Sequence, residues 1–148
     1  MSILRTSTTS DSAVLDAIES ENAAIFAYGV VAAFSNPARA NEVATHMATH
    51  RARRDALSVI AVDAGLTPPI AAAGYDIPFP VTDAITAAQL AAQIEADTAA
   101  AYRALIEQAD SDDLRTFGVE ALTDASIRGA GWNLALGTTP ATSAFPGE

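Results

Sequence analysis

Leu15-Asp16-Ala17-Ile18-Glu19-Ser20-Glu21-Asn22-Ala23-Ala24-Ile25-Phe26-Ala27-Tyr28 is the stretch whose reading decides the fold. Alternating steps of three and four residues put Val14, Ile18, Glu21, Ile25, Tyr28 and Ala32 on one stripe of a helix. Glu21 falls where a bundle helix ordinarily carries an apolar side chain. A carboxylate in that position needs a partner, because an unpaired buried charge costs more than a helix can repay. The remainder of the chain must supply either a metal ion site or a set of opposite charges.

Composition narrows the choices. A chain of 148 residues suits one domain with a single substantial core. Half of the residues are hydrophobic but only 6% are aromatic, and alanine dominates, which favours close-packed helices over sheets. The net charge is −10, and all eight basic residues are arginines. Such a surface keeps a protein soluble and repels phosphate backbones and anionic lipids, so neither nucleic acid nor membrane is an expected partner. Without cysteine there are no disulfides, thiolate ligands or thiol nucleophiles. Residues 1–10 lack the apolar core of a secretory signal, and the longest apolar run, Ala23 to Phe34, falls short of the roughly 20 residues that span a bilayer. A cytoplasmic location is the expectation.

Punctuation along the chain predicts four helices. Residues 1–10 read as a flexible N-terminus, with Ser10 or Asp11 capping a first helix that runs to about Phe34. Asn36-Pro37 opens a second helix over about 38–64, closed by Gly65. Five residues, Pro68, Pro69, Gly74, Pro78 and Pro80, forbid a helix across the connection 65–82. Thr82 or Asp83 caps a third helix to about Ala109, and the acidic break Asp110-Ser111-Asp112-Asp113 caps a fourth, from about 113 to 136. Residues 137–148 read as an extended tail, with Phe145 expected to pack back on the bundle. Short first and third connections make antiparallel hairpins. The middle connection can span roughly 56 Å when extended, more than the roughly 36–40 Å of a helix of about 24–27 residues, so it can travel the full length of the bundle. The expected fold is all-α: residues 11–136 form a four-helix bundle of two antiparallel hairpins joined by a long crossover, the arrangement of ferritin-like folds.

The same stripe analysis finds polar residues on every helix. Helix 2 gives Val43, Met47, His50, Arg54, Leu57 and Ala61; helix 3 gives Ala91, Glu95, Thr98, Tyr102 and Leu105. Helix 4 gives Leu114, Phe117, Ala121, Asp124, Arg128 and Gly131. Glu21 and Tyr28 share their spacing with Glu95 and Tyr102, and His50 and Arg54 share theirs with Asp124 and Arg128. The predicted buried polar network is therefore Glu21, Tyr28, His50, Arg54, Glu95, Tyr102, Asp124 and Arg128, charge-balanced when His50 is protonated. His46, one turn before His50, reads as a flanking residue, and Trp132 as core or bundle-end packing. The Tyr75 to Pro80 segment reads as a strap across the bundle.

Five segments carry a family resemblance: Glu21 to Gly29, His50 to Leu57, Tyr75 to Val81, Leu122 to Arg128, and the ending Phe145-Pro146-Gly147. On them the chain resembles the ferritin-like superfamily, and more specifically a bacterial ferritin-like family described as a domain of unknown function. Iron-binding members of the superfamily take one Glu from each of two helices and a Glu-x-x-His pair from each of the others. The resemblance places Glu21 and Glu95 at the single carboxylates and His50 at the first histidine. Met47 and Ala121 stand where the bridging glutamates would be, and Asp124 stands at the second histidine. Arg54 and Arg128 are expected to bring fixed positive charge into the same space, where they compete with a dication for the carboxylates.

Three functions follow as expectations. The first is a binding or structural protein with no metal and no cofactor, its network replacing the di-iron site, partnered by a second copy of itself or by another protein. An alternative is an iron- or manganese-dependent oxidoreductase or iron-handling protein with the reduced ligand set Glu21, His50, Glu95 and Asp124. A third is a small-molecule binder that uses the polar seam. No catalytic residue is assigned, since the chain has no Ser-His-Asp arrangement, phosphate loop or dinucleotide fingerprint.

Overall fold

The computed structural model describes residues 7–148. Four long helices form in order: α1 (Thr9–Phe34), α2 (Ala40–Asp63), α3 (Ala84–Gln108) and α4 (Asp112–Leu136), with one 3-10 turn, Pro37–Arg39, before α2. The described chain is an all-α four-helix bundle. Among the described residues, no helix is long and apolar enough to cross a membrane.

Local chemistry sets each boundary. The first helix starts earlier than Ser10 or Asp11, because Thr8 and Asp11 form a capping box: Thr8 Oγ1 accepts from the Asp11 amide at 3.1 Å, and Asp11 Oδ2 accepts from the Thr8 amide at 3.0 Å. Residues 9 and 10 therefore belong to α1, not to a flexible terminus; residues 1–6 of that expected terminus lie outside the described residues. Asn36 Oδ1 accepts from the Ala38 amide at 2.9 Å, with Pro37 opening the turn that feeds α2. After α2, Gly65 turns left-handed (φ 78°) and the Leu66 amide reaches back to the Ala61 carbonyl at 2.9 Å. That hydrogen bond drives Leu66 onto the apolar core at the end of the helix. Asp83 caps α3 through the Thr86 amide at 2.8 Å, and Ser111 caps α4 through the Leu114 amide at 3.2 Å.

Two apolar clusters fill the bundle, one toward each end. The first joins Ala13, Val14, Ala17 and Ile18 of α1 to Leu57 and Ala61 of α2, Tyr102 and Leu105 of α3, and Leu114 and Ala121 of α4. The second joins Tyr28 and Val31 of α1 to Val43 of α2, Leu90, Ala91 and Ile94 of α3, and Trp132 of α4. The start of α1 thus meets the ends of α2 and α3 and the start of α4, so neighbouring helices are antiparallel. The connection after α2 has to travel the length of the bundle before α3 begins. Leu66 packs at one end of that path, and Ile77, Phe79 and Val81 pack at the other, with Tyr75 against Phe26 at 5.8 Å between ring centroids.

Helix backbones pack closely between α1 and α2, α1 and α3, and α3 and α4. The remaining side, between α2 and α4, is bridged by long side chains. Arg53 ion-pairs with Asp124 and stacks its guanidinium over Phe117, while Arg39 lies over Trp132. Two sequence expectations are corrected here. Along α1 the expected stripe is buried at Val14, Ile18, Glu21 and Tyr28, but Ile25 is half-buried and Ala32 exposed, and the buried side extends instead to Ala17, Ala24 and Val31. Phe145 is 67% exposed; the tail docks instead through Asn133 Nδ2 to the Ala141 carbonyl (2.9 Å) and through the Arg103–Glu148 ion pair (3.0 Å).

Candidate functional site

A polar layer lies between the two apolar clusters. Glu21 of α1, His50 of α2, and Glu95 and Thr98 of α3 are all buried in it. The imidazole of His50 spans the bundle: Nδ1 meets Glu21 Oε2 at 2.6 Å and Nε2 meets Glu95 Oε1 at 3.1 Å. Each carboxylate also takes a phenol. Tyr102 donates to Glu21 Oε1 at 2.5 Å, and Tyr28 donates to Glu95 Oε1 at 2.6 Å. From α4, Arg128 Nε donates to Glu95 Oε1 at 3.0 Å, and Trp132 Nε1 donates to the Tyr28 oxygen at 3.1 Å. His46 Nδ1 lies 3.3 Å from the same hydroxyl, where the Nδ1–H tautomer would donate to it.

Electrostatics follow from this wiring. Burial alone would lower the His50 pKa, but hydrogen bonds to Glu21 and Glu95 and the charges behind them outweigh it and push the imidazole up to about 8. Burial would raise Glu95, yet His50 and Arg128 hold it below the usual carboxylate range. Tyr28 and Tyr102 are both raised, first by burial and then by the carboxylates they face, so they remain hydrogen-bond donors. His46 is lowered, chiefly by burial. With His50 protonated, two carboxylates face one imidazolium and one guanidinium, and the layer is neutral.

Six of the eight residues singled out from the sequence meet here: Glu21, Tyr28, His50, Glu95, Tyr102 and Arg128. Arg54 does not join them. It turns along its own helix to exposed Asp55 at 2.9 Å, and its neighbour Arg53 is the residue that reaches α4. Asp124 also lies outside the layer, half-exposed and held by Arg53. One helical residue is a rotation of 100°, so a shift of one position moves a side chain from seam to flank. Trp132 and His46 belong to the network although the stripes left them beside it. Their ring N–H groups were the available signal, since a buried indole or imidazole needs a polar partner.

Metal ligation fits this arrangement poorly. Both ring nitrogens of His50 are engaged by carboxylates, and Arg128 sits on Glu95 where a cation would have to bind. Among the described residues, no three His, Asp or Glu side chains are placed to hold a metal ion. Among the described residues, three buried side-chain atoms have no hydrogen-bond partner: Glu95 Oε2, Thr98 Oγ1 and Asn22 Nδ2.

Comparison with known proteins places the chain. The family described as "Domain of unknown function (DUF4439)" matches residues 13–148. The chain belongs to that family. It is also similar to the crystal structure of a conserved hypothetical protein, rv2844, from Mycobacterium tuberculosis, at 41% identity and a TM-score of 0.85. The similarity covers 86% of this chain and 97% of that one. No match is found among curated proteins. Within the family, a histidine bridge between two glutamates is the chemistry this member presents.

Proposed function

We propose that this member of the family is a ferritin-like bundle with a metal-free polar layer in place of a di-iron centre, and that it acts by binding rather than by redox chemistry. The two hairpins joined by a full-length crossover support the ferritin-like reading. One observation carries the rest: His50 spends both ring nitrogens on Glu21 and Glu95 while Arg128 neutralises Glu95. A dication would have to displace a guanidinium that stays charged at any working pH. Met47 and Ala121 offer no bridging carboxylate to compensate.

Metal analysis of protein purified without chelator, followed by aerobic ferrous titration, tests this. The expected result is metal well below one equivalent and ferrous oxidation no faster than in buffer. A stoichiometric metal, or saturable ferrous oxidation lost in Glu95→Gln, overturns the reading.

A further inference from the structure

A cleft of about 730 Å³ runs between α3 and α4. Its walls include Ala92, Ala96, Ala99, Leu122, Ile127 and Leu134, together with tail residues between Ala141 and Glu148. That volume lies within the range of about 300–1,000 Å³ typical of small-molecule sites. Glycines and alanines hold the space open: a Cβ added at Gly131 would meet nothing within 4 Å. The tail is fixed in place by Asn133 and Arg103. The cleft therefore has a defined second side.

Glu95 lines this cleft as well as the polar layer. All three of its donors, Tyr28, His50 and Arg128, converge on Oε1. Oε2 has no partner and is closed to a water-sized group in this conformation, so a ligand would reach it only as the Glu95 carboxylate turns toward the cleft. A buried carboxylate oxygen left in that state costs free energy that an incoming donor would recover.

We propose that the cleft binds a small, neutral, largely apolar molecule that donates one O–H or N–H hydrogen bond to Glu95 Oε2, the chemistry of an aliphatic alcohol. This rests on reading the chain as a binding bundle and adds what is bound. The apolar walls select the body of the ligand, and Oε2 selects a donor at one end. Neutrality follows from charge balance. The carboxylate is already offset by His50 and Arg128, so an added cation would face two positive groups at short range. An anion would meet the carboxylates of Glu95 and Glu148.

Titration of 15N-labelled protein with 1-octanol, followed by amide NMR, tests the proposal. Saturable shifts are expected at Gly129, Gly131 and Ala96, with n-octylammonium binding at least about tenfold more weakly (about 1.4 kcal/mol). Gly131→Leu fills the cleft without touching the polar layer, and Ala96→Leu does so from an exposed helix position; each is expected to abolish the shifts. Absent or scattered shifts, shifts that survive both variants, or equal binding of octylammonium overturn the proposal. So does a concentration-dependent shift of the same amides without octanol, which would assign the cleft to a second copy of the chain. Metal content of the same sample separates the two readings. Stoichiometric metal counts against the metal-free layer, whereas metal-free protein that ignores octanol counts only against the cleft.

Discussion

Tyr28 donates its phenolic hydrogen to Glu95 across the α1–α3 interface, 2.6 Å away. Tyr102 returns the same contact to Glu21 at 2.5 Å. Each hairpin thus satisfies the carboxylate of the other, which ties the halves together through side chains 67 and 81 residues apart in sequence. His50 closes the pattern by contacting both glutamates.

The two phenols should not cost the same to remove. Tyr102→Phe leaves Glu21 Oε1 without its donor, a loss of about 1–3 kcal/mol. Tyr28→Phe strands the Trp132 indole N–H as well as withdrawing a donor from Glu95, so it is expected to cost more. Urea unfolding of both variants ranks them, and a larger loss in Tyr102→Phe would reverse the assignment.

Arginines one turn from equivalent positions should separate sharply. Arg128→Met leaves Glu95 buried with one positive partner fewer and is expected to cost about 3–5 kcal/mol. Arg54→Met removes an ion pair with exposed Asp55 and should cost less than about 1 kcal/mol. In a double-mutant cycle, Arg128→Met with Glu95→Gln should recover part of the single loss, whereas Arg54→Met with Glu95→Gln should be additive.

Stability should fall above neutral pH. The imidazole of His50 is raised from an ordinary 6.5 to about 8, so its contribution is complete below pH 6.5 and is lost as pH rises through 8. That shift corresponds to about 2 kcal/mol. Glu95, held below its ordinary 4.5, contributes above that pH and loses its contribution as acid protonates it. The plateau therefore lies between pH 4.5 and 6.5. Denaturation midpoints across pH 4 to 9 should show the alkaline decline in the native chain. A decline that persists unchanged in His50→Gln would assign it elsewhere.

Two helical glycines should respond in opposite directions to alanine. A Cβ at Gly118 would lie 2.7 Å from Ile106 Cγ1 of α3, so Gly118→Ala is expected to destabilise by about 1–3 kcal/mol. Gly131 faces open space, and Gly131→Ala should stabilise by up to about 1 kcal/mol through helix propensity alone. Thermal melts of the two variants distinguish these signs.

Much of the bundle was legible along the chain. Prolines 68, 69, 78 and 80 exclude a helix from the middle connection, while Gly65 and Gly137 mark the helix ends. Heptad spacing also marks Glu21 and Tyr28 on α1, and Glu95 and Tyr102 on α3, as residues of one buried face. Rotational phase was harder to read. Apolar residues flank Glu21 on both sides of α1, and the sequence offers three arginines within four positions on α2, so either choice satisfied the pattern.

Helix number, length and order, and the presence of carboxylates on buried faces, are local properties: backbone hydrogen bonding, capping and periodicity act within a few residues and are written in sequence. Which phenol serves which glutamate, that Arg53 rather than Arg54 crosses to α4, and that Glu95 keeps one buried oxygen without a partner depend on how neighbouring helices rotate against each other. Those rotations are settled by packing among residues far apart in the chain, where a change of one position turns a side chain by 100°.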